Sequence, residues 1–158
     1  MDSPFKFLLA ALALAALGGG GLAVYQKTRG LRNNNPGNIR RSADNWKGLS
    51  EKQNDKSFFQ FTAPRWGIRA MARILKNYAR LYRISTIDGV VQRWAPNTEN
   101  DTEAYAKFIS SETGLSRTQF INLENDSTLE KIIPAIIAFE NGIQPYTAEK
   151  IKEGIALA

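Results

Sequence analysis

The sequence predicts a mainly α-helical domain with a small β-hairpin, preceded by one N-terminal transmembrane helix. The run from Phe7 to Tyr25 contains no charged residue, and at about 1.5 Å per residue it would cross a hydrocarbon layer of roughly 30 Å. Several later segments carry apolar residues at helical spacing, whereas only Phe58 to Phe61 alternates as a strand does. We therefore place an anchor at residues 1–28 and a folded domain at residues 29–158.

The apolar run has two interpretations. Lys6 precedes it, Lys27 and Arg29 follow it, and Tyr25 suits the interface of a bilayer. A cleaved signal peptide, with Lys6 as its positive region, is the alternative. We favour a retained single-pass anchor because no small-x-small cleavage site precedes a polar start. The positive-inside rule then places the domain on the cytoplasmic side.

Composition excludes several kinds of active site. The chain has neither cysteine nor histidine, so disulfides, Ser-His-Asp triads, Cys-His pairs and histidine-built zinc sites are impossible. Acid–base chemistry has to come from Asp, Glu, Lys or Tyr. The net charge of +6 favours polyanionic partners such as phospholipid, nucleic acid or cell-wall polymers. We expect no metal and no other cofactor.

The folded domain begins with an asparagine-rich loop. Pro36 and Gly37 are typical of the centre of a type II turn. The amides of Asn35 and Asn38 are suited to binding carbohydrate, or to holding the loop together by themselves. Trp46 can stack on a sugar ring or cover a small core. The strand that includes Gln60 is expected to pair with residues 38–40 as a short hairpin.

Helices account for most of the remaining chain. Capping residues and apolar spacing predict helices at residues 64–82, at 85–94 with Ser85 as cap, and at 102–113 between Asp101 and Gly114. A short helical piece is expected at 117–121, and a weak helix from Thr147 to the end. The first helix has a basic face, which favours either solubility or binding to a polyanion: Arg65, Arg69, Arg73, Lys76 and Arg80.

The segment from Ser127 to Gly142 predicts the buried central helix. Ser127 and Glu130 form a capping-box pattern, and the helix is apolar over most of its circumference. Pro134 predicts a kink or a weakened first half. Glu140 falls in the last turn, where burial and the helix C-terminus both raise a carboxyl pKa. It is therefore a candidate general acid, or simply the first solvated residue after a core helix.

Glycosidic bond cleavage is the chemistry that a lone protonated glutamate suggests most directly. A glycosidase normally uses this acid together with a second group, and spacing does not rank the candidates Glu51, Asp55, Glu99 and Asp101.

The order of motifs resembles a family of small phage and prophage proteins labelled virion structural protein. The shared motifs are RGLRNNNPGNIR at 29–40, WKG at 46–48, the segment 59–70, WAP at 94–96, ENDTEAY at 99–105 and ENGIQPY at 140–146. One departure is Phe139, at a position where histidine is usual in that family. The departure argues against a histidine that assists the glutamate.

The same pieces also resemble lysozyme-like lytic transglycosylases and flagellar-type glucosaminidases. In those enzymes a catalytic glutamate ends a helix, and the other motifs follow it. Here the glutamate-bearing helix comes last, which implies a circularly permuted lysozyme-like domain at residues 29–158. Lytic transglycosylases use one glutamate, because groups of the substrate complete the reaction.

These observations predict a membrane-anchored phage peptidoglycan hydrolase that acts when the virion enters the cell. We expect Glu140 to be the acid, with Tyr105 and Glu99 beside it. The expected glycan-binding residues are Asn35, Asn38, Trp46, Gln60, Thr102 and Asn141. The domain would sit in a virion with an internal membrane, or on the host inner membrane as a lysis factor.

The expected partners are peptidoglycan, a lipid membrane and other virion proteins, and nucleic acid is not expected. The alternative is a non-enzymatic virion protein that links the membrane to the capsid or genome.

Overall fold

The computed structural model describes residues 28–96 and 101–158. The predicted transmembrane run and Glu99 lie outside the described residues. Within these two ranges, no helix combines the length and the apolarity that crossing a bilayer requires. The helices are α1 Arg29–Arg32, α2 Pro64–Tyr82, α3 Ile87–Trp94, α4 Thr102–Thr113, α5 Asp126–Asn141 and α6 Ala148–Ala156. The prediction of a mainly helical protein is therefore confirmed.

Helix α5 occupies the centre of the hydrophobic core. It contacts α1, α2, α4 and α6, and its isoleucines are at most 1 % exposed. Burying one such side chain contributes about 1.5–3 kcal/mol, so α5 is a large source of packing energy. The helix continues through Pro134. Because its neighbours surround it, its last turn carries Glu140 into the interior.

Several predicted helix boundaries are confirmed. Helix α2 covers the predicted residues. The Asp101 side chain caps α4 by accepting from the Ala104 amide, and Gly114 ends the same helix in the left-handed region. Thr147 caps α6. These boundaries depend on residues whose local preferences agree with the fold.

Two predicted caps and one predicted helix were wrong. Thr86, not Ser85, caps α3, and Asn125 caps α5, which begins before Ser127. Adjacent Ser, Thr and Asn residues have similar capping strength, so packing decides which of them is used. Residues 117–121 form turns and bends instead of a helix.

The predicted hairpin is reduced to isolated antiparallel bridges, Arg40 with Phe58 and Leu49 with Phe61. The Asn35 amide explains why a regular ladder does not form. Its Nδ2 donates to the carbonyls of Ile39 and Phe59, both at 2.9 Å. The Ile39 carbonyl still accepts from the Phe59 amide at 3.0 Å. The Ile39 amide, however, donates to Asn35 Oδ1 instead of to the Phe59 carbonyl, so a side chain replaces one of the two bonds of a regular antiparallel pair.

The asparagine-rich loop differs from its predicted turn. Gly37 does not have the positive φ that the third position of a type II turn requires. Asn34 and Asn38 instead adopt left-handed conformations, with φ of 51° and 49°. The short helix α1, which the sequence did not predict, precedes the loop. A Cβ atom on Gly30 in α1 would lie 2.6 Å from the Asn38 side-chain oxygen, so this close approach requires glycine.

Candidate functional site

The Glu140 carboxyl group is buried and has three polar partners. Its Oε2 accepts from Asn38 Nδ2 at 3.0 Å. Its Oε1 accepts from the Tyr105 hydroxyl at 2.9 Å and lies 3.3 Å from Trp94 Nε1. Glu140 is 9 % exposed. We call these four residues the carboxyl site.

Three separate elements bring the partners to Glu140. Asn38 comes from the asparagine-rich loop, Trp94 from the last turn of α3, and Tyr105 from α4. Phe139 stacks on the Tyr105 ring, with the two centroids 3.7 Å apart, and this stacking fixes the direction of the hydroxyl. Phe139 thus takes a packing role at the position where the sequence departs from the usual histidine.

Burial raises the pKa of Glu140 above its ordinary value, and the hydrogen bonds from Asn38, Tyr105 and Trp94 oppose this shift. The pKa of Tyr105 is also raised, chiefly by burial and then by the nearby Glu140, so its hydroxyl keeps its proton. Burial thus favours the protonated form of Glu140, whereas the three hydrogen bonds favour its carboxylate.

Two asparagines that the sequence predicted to bind glycan are buried, and their side chains bond to the backbone of this chain. Asn35 is completely buried; besides its two donated bonds, it accepts one from the Ile39 amide at 2.9 Å. Asn141 donates to the carbonyls of Pro36 and Ile137. These placements favour a structural role for both residues: Asn35 joins the loop to the segment that contains Phe59, and Asn141 joins it to α5.

Gln60 and Asp55 belong to a second polar cluster. Asp55 accepts from Arg29 at 2.6 and 2.7 Å and from Asn33 at 2.8 Å. The hydrogen bond from Arg29 is the main reason that the pKa of Asp55 is lowered. Gln60 accepts from the Asp55 amide and donates to Asn33. Asp55 therefore holds the loop together and is a poor candidate for accepting a proton.

The contacts of the other predicted site residues are with groups other than Glu140. Thr102 Oγ1 donates to the Ala95 carbonyl at 3.4 Å and lines a surface cavity with Glu103 and Arg117. Trp46 packs against the core while half-buried. Asp101 is occupied as the cap of α4. The structure thus joins Glu140, Tyr105 and Asn38 and does not test Glu99.

Sequence analysis missed Trp94 as a member of the site. In the sequence, Trp94 marked only the end of a helix that stops before Pro96. In the structure, Trp94 is 1 % exposed and its indole N–H reaches Glu140. The available signal was a tryptophan at the end of a short amphipathic helix, and this pattern does not reveal which buried group its N–H meets.

Comparison with known proteins places the chain in a phage family. The chain is 43 % identical over 162 aligned positions to Protein P5 of Pseudoalteromonas phage PM2, covering 98 % of this chain and 96 % of the relative. The chain belongs to the Protein P5 family. No family model matches it. The predicted phage origin is therefore confirmed, whereas the lysozyme-like relationship remains a prediction.

The alignment with the Protein P5 relative includes most of the N-terminal segment. An alignment over 98 % of 158 residues omits only about three residues of this chain. Most of residues 1–27 therefore lie within the aligned part of the chain.

Proposed function

We propose that this protein cleaves the glycan strand of peptidoglycan, with Glu140 as the general acid. The observation that carries the proposal is the buried Glu140 carboxyl, whose pKa burial raises while three donors surround it. A carboxylic acid kept protonated near neutral pH is what protonation of a glycosidic oxygen requires.

The reaction follows from the carboxyl site. Glu140 gives its proton to the glycosidic oxygen while the bond from that oxygen to C1 breaks, and the bonding electron pair stays with the oxygen. Asn38, Tyr105 and Trp94 donate to the resulting carboxylate. Water, or a hydroxyl of the same sugar, then adds to the positively charged C1 and returns a proton to Glu140. Tyr105 acts as a positioning residue, because its hydroxyl holds Oε1.

The N-terminal apolar run and the phage family support a site of action at a membrane. Residues 7–25 anchor the protein in a lipid membrane, either the internal membrane of a virion or the host inner membrane. In a virion with an internal membrane, the domain reaches the cell wall only when that membrane fuses or forms a tube during infection. Other virion proteins are then its neighbours.

Replacement of Glu140 by glutamine tests the proposal. The full-length protein and its Glu140→Gln variant are purified in detergent micelles and added to Gram-negative peptidoglycan, and the released fragments are identified by mass. We expect the parent to release muropeptides and Glu140→Gln to lose at least about 100-fold of that rate. Anhydro ends on the fragments would identify transglycosylation, and reducing ends would identify hydrolysis.

Glu130→Gln is the matched control. Glu130 lies on the same helix but is partly exposed, near Lys152 at 3.8 Å. This variant should retain parental release, and both variants should unfold cooperatively. Equal release from the parent and folded Glu140→Gln would remove Glu140 from the mechanism. No release from the parent would refute the enzymatic proposal.

A second candidate is a non-enzymatic protein that links the membrane to the capsid or genome. This role is favoured because three side chains already bond to the Glu140 carboxyl, and a buried carboxyl bonded in this way also holds the surrounding elements together. The basic face of α2 gives less support, because its cations contact groups of this chain: Glu153, Leu157, Ala158, Asp126 and Glu124. Salt-dependent binding to DNA or capsid would support this role, and absence of binding at low salt would refute it.

A further inference from the structure

A second polar region lies next to Trp94, around Tyr78. The ring of Tyr78 is 6.5 Å from the ring of Trp94, and Tyr78 lines a cavity of about 120 Å³. That is several times the space that one water molecule needs. We call this the aromatic cavity; it is lined by Asp44, Trp46, Ile74, Asn77, Tyr78, Leu81, Tyr82 and Arg93.

Three residues that line the aromatic cavity each carry a buried polar atom that forms no hydrogen bond with residues 28–96 or 101–158. The three atoms are Trp46 Nε1, the Tyr78 hydroxyl and Arg93 Nε. Leaving a buried polar group unsatisfied costs about 1–3 kcal/mol, and native proteins contain few such groups. Tyr78 itself is only 3 % exposed. Three unsatisfied groups around one cavity indicate a place where a polar ligand or water completes the bonding.

The charge of Arg93 is also available to a ligand. No carboxylate in the described parts of the chain forms an ion pair with Arg93. Its guanidinium lies instead over aromatic rings, 3.3 Å from the Tyr82 centroid and 5.3 Å from that of Tyr78. Cation–π contacts hold an arginine in place and leave its N–H donors free to bind an anion.

An adjoining cavity extends this positive region. Asp44 and Trp46 line both cavities, and the second, of about 250 Å³, also includes Lys47, Arg69 and Arg73. With Arg93, the two cavities are lined by four cations and one carboxylate; Arg69 and Arg73 also donate to the carbonyls of Leu157 and Ala158. The region offers two N–H donors, a hydroxyl, exposed aromatic surface and a net positive charge. These features favour an anionic ligand that has many hydrogen-bond acceptors and a flat apolar face.

We propose that the aromatic cavity binds an acidic sugar unit of the glycan strand. The sugar ring packs on Trp46 and Tyr82, its carboxylate accepts from Arg93, and further oxygens accept from Tyr78 and Trp46. The inference rests on the proposed function for its choice of glycan, but it concerns binding alone. Its site contains none of the carboxyl-site residues.

Binding to an uncleaved ligand tests the proposal separately from catalysis. The full-length Glu140→Gln protein in detergent micelles is titrated calorimetrically with a disaccharide muropeptide, which carries carboxylates, and with the uncharged dimer of N-acetylglucosamine. We expect the muropeptide to bind about tenfold more tightly, because its carboxylate adds a charge-assisted hydrogen bond to Arg93 that the uncharged sugar cannot form. Equal affinities for the two sugars would overturn the assignment of an acidic ligand.

Two variants locate the binding site. Arg93→Gln should weaken muropeptide binding about tenfold, and Arg41→Gln should leave it unchanged, since exposed Arg41 contacts only the Gln53 carbonyl at 3.3 Å. The two variants lose the same charge, so a difference between them excludes general attraction. Tyr78→Phe should weaken binding about threefold to fivefold without disturbing the fold, because its hydroxyl has no protein partner.

The outcomes separate this proposal from the enzymatic one. Weaker binding by folded Arg93→Gln and Tyr78→Phe supports the site, even if the parent releases no muropeptide. Unchanged binding by both folded variants overturns the site, even if the parent cleaves peptidoglycan. Absence of muropeptide binding at millimolar concentration shows that the cavity holds only water and likewise overturns it.

Discussion

The carboxyl site and the aromatic cavity are neighbours through the contact between the rings of Trp94 and Tyr78, and they differ in how their polar groups are satisfied. At Glu140, three side chains from three elements already occupy the carboxyl oxygens. In the aromatic cavity, Trp46, Tyr78 and Arg93 each have a buried polar atom without a partner. Both regions are rich in tryptophan and tyrosine, so residue type alone does not distinguish them.

The difference separates two uses of buried polar groups. A saturated group such as Glu140 contributes a fixed charge environment, because its partners are arranged before any ligand arrives. An unsatisfied group such as the Tyr78 hydroxyl contributes binding capacity, because its bonding is completed from outside the chain. The comparison predicts that substitutions in the first region cost stability, whereas polar deletions in the second mainly cost affinity.

The largest effect is expected for Asn35→Ala, in the loop that carries Asn38 to Glu140. The change removes three buried hydrogen bonds, to Ile39 O, Phe59 O and Ile39 N. We expect the free energy of unfolding to fall by about 3–5 kcal/mol, measured by urea denaturation. Exposed Asn45→Ala is the control and should change it by less than about 0.5 kcal/mol. Similar values for the two variants would contradict the structural role of Asn35.

A smaller effect is expected in the pH dependence of stability. Because the pKa of Glu140 is raised on folding, the folded state binds more protons than the unfolded state above the ordinary value of 4.5. The free energy of unfolding should therefore fall as pH rises from about 4.5 to the folded pKa, by at most about 1.4 kcal/mol per pH unit for one proton. The Glu140→Gln variant should lack this decline.

Urea denaturation of parent and variant at a series of pH values measures the difference between them. The parent should lose stability relative to Glu140→Gln through that window and then run parallel to it at higher pH. Parallel curves throughout would show that the pKa of Glu140 is not raised by folding, and the carboxyl site would lose its capacity to act as an acid near neutral pH.

The smallest effect on stability is expected for Tyr78→Phe in the aromatic cavity. Its hydroxyl is buried without a protein partner, and burial raises its pKa further. Removing the hydroxyl should change the free energy of unfolding by less than about 0.5 kcal/mol, or increase it. Thermal unfolding without ligand measures this. A loss above about 1 kcal/mol would show that the hydroxyl is bonded inside the folded chain, and the contrast between the two regions would fail.

Residue spacing and capping residues correctly predicted the helices whose ends are set by neighbouring residues rather than by packing. The apolar spacing of residues 64–82 specified α2, and Asp101, Gly114 and Thr147 marked helix ends because their side chains or φ preferences act on neighbouring amides. The apolar circumference of α5 predicted a buried helix, but the sequence left open whether Glu140 at its end is buried or solvated, and the structure shows it buried.

Local patterns failed where two residues competed or where a distant group decided the outcome. Ser85 and Thr86 have similar capping strength, and the fold uses Thr86. The hairpin did not become regular, because the Asn35 side chain bonds to the Ile39 amide and the Phe59 carbonyl, which would otherwise bond to each other. Neither outcome is visible from the spacing of the residues themselves.

The sequence by itself determined the helical class, the glutamate at the end of the central helix, and the absence of cysteine and histidine chemistry, because these depend on residue identity and short-range periodicity. Only the tertiary structure decided that Trp94 and Tyr105 meet Glu140 and that Trp46, Tyr78 and Arg93 surround one cavity. The physical reason is that these contacts join residues about 15 to 50 positions apart, whose relative placement is fixed by packing of the whole core.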